Sequence, residues 1–367
     1  MLLVGACSDD DDSTAGTLAP ATTDVATTTA VTMTTAVTMT TDATATVPAP
    51  PAITQASATT VPAVPAVPET TAAPAQCATV APGVTETTLT SGGETHEIRV
   101  FVPSTYAGTP LPVVIDWHGL GSNGAQQAMY SGYETVAEAQ GFIVVHPTGV
   151  ADVAGGPTSW QLFPTPGAGR DDLAFASTLI AELIANWCAD PARVYSTGMS
   201  NGGFFTARLI CEMADRIAAA VSVAGTYHPQ FCRPVRDVPY MAIHGTEDAV
   251  VPYLGGDSAL AGPGSDDALR VFFEQVIPAE LAEFAADSGC DPTTVDTSVG
   301  EDVIRHAYTG CDGDTPIIFD EVRGGGHTWP SSPMAALTEG ALGYTTTDID
   351  ATRDGWAFMS QFTLSGG

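Results

Sequence analysis

Apolar residues cluster along this chain in two recurring patterns. Short unbroken runs at Val113 to Trp117, Phe142 to His146, Ala218 to Ala224, Val238 to His244 and Pro316 to Val322 have the character of strands buried on both faces. Ile98 to Val102 alternates in strand fashion, and Val303 to Tyr308 reads as a further strand. Between these runs lie segments with helical character: Gly124 to Gln140, Asp171 to Trp187, Ala268 to Ala286 and Asp350 to Phe362. In the second of them Leu173, Leu179, Ile180, Leu183, Ile184 and Trp187 are expected to line one face, with Asp171 and Asp172 where a helix N-terminus favours negative charge. Strands alternating with helices predict an α/β fold: a mostly parallel sheet with helices on both faces.

The pattern has one pivot. Arg193 to Phe205 reads as a strand, Val194-Tyr195-Ser196-Thr197, then a turn, then a helix start at Phe204 and Phe205. Within it Gly198-Met199-Ser200-Asn201-Gly202 fits G-x-S-x-G, in which a serine occupies a strained strand-to-helix bend between residues that must be small. A serine hydroxyl is a poor nucleophile at neutral pH, so it needs a histidine base and a carboxylate that fixes the base's tautomer. Asp248, just past the strand ending at His244, and His327, just past the strand ending at Val322, supply these in the order serine, acid, histidine. The alternatives for the acid are Glu247 and Asp257, and for the base His228 and His306; His118 and His244 sit in His-Gly turns and are read as structural. Oxyanion donors are expected from the backbone N–H of Asn201 and from that of Leu120 in the loop after Val113 to Trp117.

From Ser8 to Gln76 both patterns vanish. The segment is mostly Thr, Ala, Val, Pro and Asp with no aromatic residue, so it cannot build a core and is expected to be an extended tether, residues 8–76, before a catalytic domain at 77–367. The opening residues 1–7, Met1-Leu-Leu-Val-Gly-Ala-Cys7, resemble the end of a lipoprotein signal, which makes Cys7 the expected lipidation site, although a complete signal also has a basic region and a longer apolar stretch.

Composition narrows the function classes. A formal charge of -31, with eleven arginines and no lysine, excludes nucleic acid and anionic membrane surfaces as partners, leaving membrane attachment only through the lipid. Six cysteines remain beyond Cys7, and no C-x-x-C or ligand-spaced histidine pair occurs, which favours disulfides in an exported protein over a metal site. Cys290 is expected to pair with Cys311 across the strand Val303 to Tyr308, and Cys211 with Cys232, which leaves Cys77 for Cys188.

Five motifs together, HGLGSNG from His118, DDLAF from Asp171, RVYSTGMSNGG, HGTEDAVVPY and GGGHTWP, resemble the secreted polyhydroxybutyrate depolymerase and feruloyl esterase group of α/β-hydrolases over about Cys77 to Gly367. The resemblance implies an α/β-hydrolase fold, hydrolysis of carboxylic esters without a cofactor, and Ser200, Asp248 and His327 as nucleophile, acid and base. It also puts Trp160 and Trp329 where such enzymes line an acyl or aromatic pocket, a core position being the alternative for each. Nothing resembles the separate polymer-binding module of extracellular depolymerases, which favours soluble or oligomeric esters; the protein is expected to be a monomer. Acyl transfer on the same fold, or a tethered binding protein on a hydrolase scaffold, are the other readings.

Overall fold

The computed structural model describes residues 80–153, 155–163, 170–229, 232–259 and 275–364. Ten strands form one sheet, and a small two-stranded ribbon stands apart. The strands are β1 Gly83–Ser91, β2 Glu94–Val102, β3 Leu111–Trp117, β4 Ile143–Pro147, the ribbon strands β5 Val150–Ala151 and β6 Thr158–Ser159, β7 Ala189–Met199, β8 Ala219–Val223, β9 Tyr240–Gly245, β10 Thr294–Val299, β11 Val303–Tyr308 and β12 Ile317–Val322. The sheet order is β1-β2-β4-β3-β7-β8-β9-β12-β11-β10. From β4 to β12 neighbours are parallel, while the hairpins β1–β2 and β10–β11 add antiparallel edges.

The unbroken apolar runs are the parallel strands, as expected of strands covered on both sides. Helices α3 Asp172–Asn186, α4 Asn201–Glu212 and α5 Ile277–Asp287 bury one face, where Phe175, Leu183, Phe205, Leu209, Leu281 and Phe284 pack with Ile115, Val145, Ala220 and Ala242. On the other face α2 Tyr133–Gln140 and α7 Ala351–Met359 bring Val136, Ala137, Phe358 and Met359 onto Val114, Val144, Val221 and Ile243. Successive strand residues thus feed opposite cores, the period-two rule acting on both faces at once.

Three expectations need revision. The segment Gly124 to Gln140 is two helices, α1 Gly124–Ser131 and α2, because Gly132 takes φ 70° and donates its N–H to Ala128, a left-handed cap that ends the first helix. The buried stripe of α3 is Phe175, Ala176, Leu179, Ile180 and Leu183; Ile184 is exposed, and Leu173 and Trp187 only flank the core. The helix read over Ala268 to Ala286 is described only as α5, its first part lying outside the described residues. A short helix α6, Ala335–Leu342, with no buried residue, was not signalled by any apolar stripe.

Cys290 is bonded to Cys311 and Cys211 to Cys232, the two pairings expected. Cys188 is also disulfide-bonded, and its expected partner Cys77 lies outside the described residues, as do Cys7 and the segment Ser8 to Gln76.

Chain order and sheet order diverge at one place that matters. After β3 the chain crosses to β4 on one side, and later returns to lay β7 on the other side of β3. The crevice beyond the C-terminal ends of β3 and β7 is therefore the topological switch point, where open α/β sheets bind their ligands.

Candidate active site

At that switch point β7 ends at Met199, Ser200 turns the chain, and α4 begins at Asn201. Ser200 has φ 55° and ψ -121°, a conformation that a side-chain-bearing residue holds only when its surroundings impose it. Two backbone bonds do so: Ser200 donates its N–H to Val223 O at the end of β8 (2.9 Å), and its carbonyl accepts from Phe204 N (2.9 Å). A Cβ on Gly202 would lie 2.0 Å from Trp117 O, so only glycine lets the helix cross β3 at this distance.

The loop after β3 closes over the serine. A Cβ on Gly119 would stand 3.3 Å from Ser200 Cβ and 3.9 Å from its Oγ, which puts this backbone directly beside the hydroxyl. His118 anchors the loop, with Nε2 accepting from Gly149 N (2.9 Å), so that Nδ1 carries the proton and donates to Gly119 O (2.7 Å). Burial pushes its pKa down to about 4, so the ring is neutral at pH 7 and serves as a structural clip, as its His-Gly context suggested. The next residue, Leu120, leaves its side chain 47 % exposed at the rim. Asn201, as the first residue of α4, has an N–H with no acceptor inside the helix. Its side chain is clamped both ways by the Trp160 backbone, accepting from Trp160 N (2.6 Å) and donating to Trp160 O (3.1 Å).

Asp248 follows β9, and His327 follows β12, the next strand in the sheet, so both reach the same rim as Ser200. Asp248 Oδ1 accepts from Val250 N and Val251 N, each at 2.8 Å, in a turn that fixes the carboxylate. Its Oδ2 accepts from His327 Nδ1 at 2.7 Å, and both side chains are buried. Burial alone would push the Asp248 carboxyl up; the charge of and hydrogen bond from His327, with His244 and the Val251 N–H, hold it below the usual carboxylate range. His327 N donates to Leu342 O (2.7 Å), which ties this histidine to the end of α6. The Ser200 hydroxyl has no hydrogen-bond partner among the described residues, a looseness common in ligand-free sites of this kind.

Comparison with known proteins places the chain in a family. The sequence profile of the family described as Esterase PHB depolymerase matches residues 97–257. A provisionally named esterase, NocK of Nocardia uniformis subsp. tsuyamanensis, is 31% identical over 242 residues, covering 62% of this chain and 67% of that protein. The chain belongs to the polyhydroxybutyrate depolymerase and feruloyl esterase-like family of α/β-hydrolases. Two further relatives are 26% identical: feruloyl esterase B of Piromyces equi over 275 residues, and the bifunctional acetylxylan esterase/xylanase XynS20E of Neocallimastix patriciarum over 280 residues. These matches cover 73% and 75% of the chain but only 46% and 34% of those two proteins, so the chain spans less than half the length of either.

The other acid and base candidates stand in different surroundings. Glu247 and Asp257 are exposed, His228 pairs with Glu283 and Asp287, and His306 with Asp296. The two tryptophans must also be corrected as pocket-lining residues. Trp329, 0 % exposed, donates Nε1–H to Thr352 Oγ1 and packs in the core beneath α2 and α7. Trp160, 2 % exposed, sits among Trp117, Phe175 and Phe205 and donates Nε1–H to His118 O (3.1 Å). It supports the loop and Asn201 from beneath and offers no face to a ligand. Sequence reasoning gave His244 no task at the site, although the proximity of His244 and Asp248 within HGTEDAVVPY was the available signal.

Proposed function

We propose that this chain is a serine carboxylic-ester hydrolase that works through an acyl-enzyme, with Ser200 as nucleophile, His327 as base and Asp248 as acid. The observation that carries the reading is the 2.7 Å contact from His327 Nδ1 to Asp248 Oδ2 on the rim that holds the strained Ser200. With Nδ1–H committed to an ionised carboxylate, the lone pair of His327 stands on Nε2, which can take the Ser200 proton as Oγ attacks the ester carbonyl. The carbonyl oxygen then gains charge, and the backbone N–H groups of Asn201 and Leu120 are the donors proposed for it. His327 passes its proton to the departing alcohol, leaving an ester on Ser200. Water, deprotonated by the same ring, releases the acid and restores the serine.

For substrates we propose soluble or oligomeric esters of hydroxyalkanoic or aromatic acids; the names of the fungal relatives, a feruloyl esterase and an acetylxylan esterase, support including plant cell-wall esters. Two disulfides among the described residues fit an oxidising compartment, and we place the enzyme outside the cytoplasm, held by a lipid on Cys7. A fluorophosphonate should label Ser200 alone, and Ser200→Ala should abolish hydrolysis of nitrophenyl esters, methyl ferulate and hydroxybutyrate oligomers alike while the protein stays folded. Residual wild-type turnover in that variant would refute the assignment, and products that appear only with an added alcohol acceptor would redirect it to acyl transfer.

A further inference from the structure

One buried ring at the site is left without a task by this mechanism. His244, near the end of β9, is 2 % exposed, and its Nε2 lies 2.9 Å from Val251 O and 3.3 Å from Asp248 Oδ2. Both neighbours are acceptors, so Nε2 must carry the proton and Nδ1 the lone pair. Nδ1 is buried without a partner, a cost retained at a position a hydrophobic residue could fill. Burial drives His244 below the ordinary imidazole range, with Asp248 and Val251 O opposing, so the ring is neutral when the enzyme works. Its N–H bond to Val251 O also closes the turn whose two N–H groups hold Asp248 Oδ1.

The two oxygens of Asp248 are therefore held from both sides. Oδ2 accepts from His327 Nδ1 at 2.7 Å, and His244 Nε2, whose N–H donates to Val251 O, stands 3.3 Å from the same oxygen as a second positive dipole end. We propose that His244 is a positioning residue acting through Asp248: it keeps Oδ2 aimed at His327 Nδ1 and draws off part of the charge that would otherwise bear on His327 alone. This rests on the proposed roles of Ser200, Asp248 and His327. Other ionisable groups that bear on Asp248 and His244 are few. Tyr130 lies near Asp248 and accepts from Trp329 N, the Tyr253 ring is 6.2 Å from that of His244 with its hydroxyl donating to Glu321, and Glu247 is exposed.

The test compares His244→Leu, which removes the donor, with His244→Gln, whose amide can restore it, measuring kcat, KM and the acid limb of kcat/KM on one nitrophenyl ester. In His244→Leu, kcat should fall by about tenfold, the loss of one contact to a charged group, with KM little changed. The acid limb should move to higher pH, because a carboxylate stripped of a donor holds the His327 proton more tightly. His244→Gln should return the limb to the wild-type position and recover most of kcat. Lower activity with an unmoved limb in both variants would overturn the proposal and leave a structural role. Should the leucine variant fail to fold, a glutamine variant with a limb displaced as far as that of His244→Ala would overturn it as well. The parent reading fails separately, by retained hydrolysis in Ser200→Ala, whatever the His244 variants do.

Discussion

Around Ser200 the site is held by backbone: a positive φ, hydrogen bonds from the serine's own N–H and carbonyl, and a helix crossing β3 where only glycine fits. Around Asp248 and His327 it is held by side chains, a carboxylate in its own turn bonded to a ring 79 residues further on and backed by a second ring. Ser200 is thus placed by strain that its neighbours in sequence impose, whereas Asp248 and His327, the acid and base proposed here, are brought together because β9 and β12 lie side by side in the sheet. Damage to the backbone that holds the Ser200 bend should cost stability before chemistry, and damage to the Asp248–His327 pair chemistry before stability.

The largest effect expected from this contrast is Asp248→Asn. The amide favours the wrong tautomer of His327, and turnover should drop by about ten-thousandfold while the unfolding midpoint in urea moves little. Glu247→Gln, next to it but exposed, should behave as wild type; the reverse outcome would place the acid elsewhere. At the Ser200 bend Gly202→Ala forces a methyl to 2.0 Å from Trp117 O. Urea unfolding should show a loss of about 4 kcal/mol or failure to fold, the range reserved for backbone clashes and cavities. An alanine variant of wild-type stability would show that the elbow is not sterically locked.

The smallest of these effects sharpens the contrast through pH. His118 clips the loop beside Ser200 as a neutral ring whose pKa burial depresses from 6.5 to about 4. The unfolded chain then binds a proton that the folded chain refuses, so this contribution to stability is present above about pH 6.5 and is lost as pH falls toward 4. The change should approach about 3 kcal/mol across that window, read from urea unfolding at a series of pH values. His118→Gln should flatten the curve over the same window; an equally steep curve would assign the proton to His96 or His244, both also depressed by burial.

Much of this was legible beforehand for identifiable reasons. The runs Val113 to Trp117 and Ala218 to Ala224 announce strands covered on both faces, and the elbow announces itself because its glycines and serine satisfy a local steric condition. The disulfide Cys290–Cys311 was readable because the two cysteines flank one strand, Val303 to Tyr308. Other features were not legible. Gly132 splits a helix because its φ is positive, which an isolated glycine in a helical pattern does not reveal. The edge strands β1 and β10, rich in Thr and largely exposed, carry no apolar run to mark them.

The sequence by itself determined the class of fold and the strained bend at Ser200, and it supplied the order Ser200, Asp248, His327 on which the proposed roles rest, since each depends on residue types in a short window or on strands following one another along the chain. Only the tertiary structure decided that Trp160 and Trp329 are buried in the core, that Glu247 and Asp257 are exposed while Asp248 is buried, and that His244 stands 3.3 Å from Asp248. Those outcomes depend on which surfaces meet when distant strands pair. A tryptophan or histidine carries the same side chain whether it meets solvent, a ligand or another ring, and packing alone makes the choice.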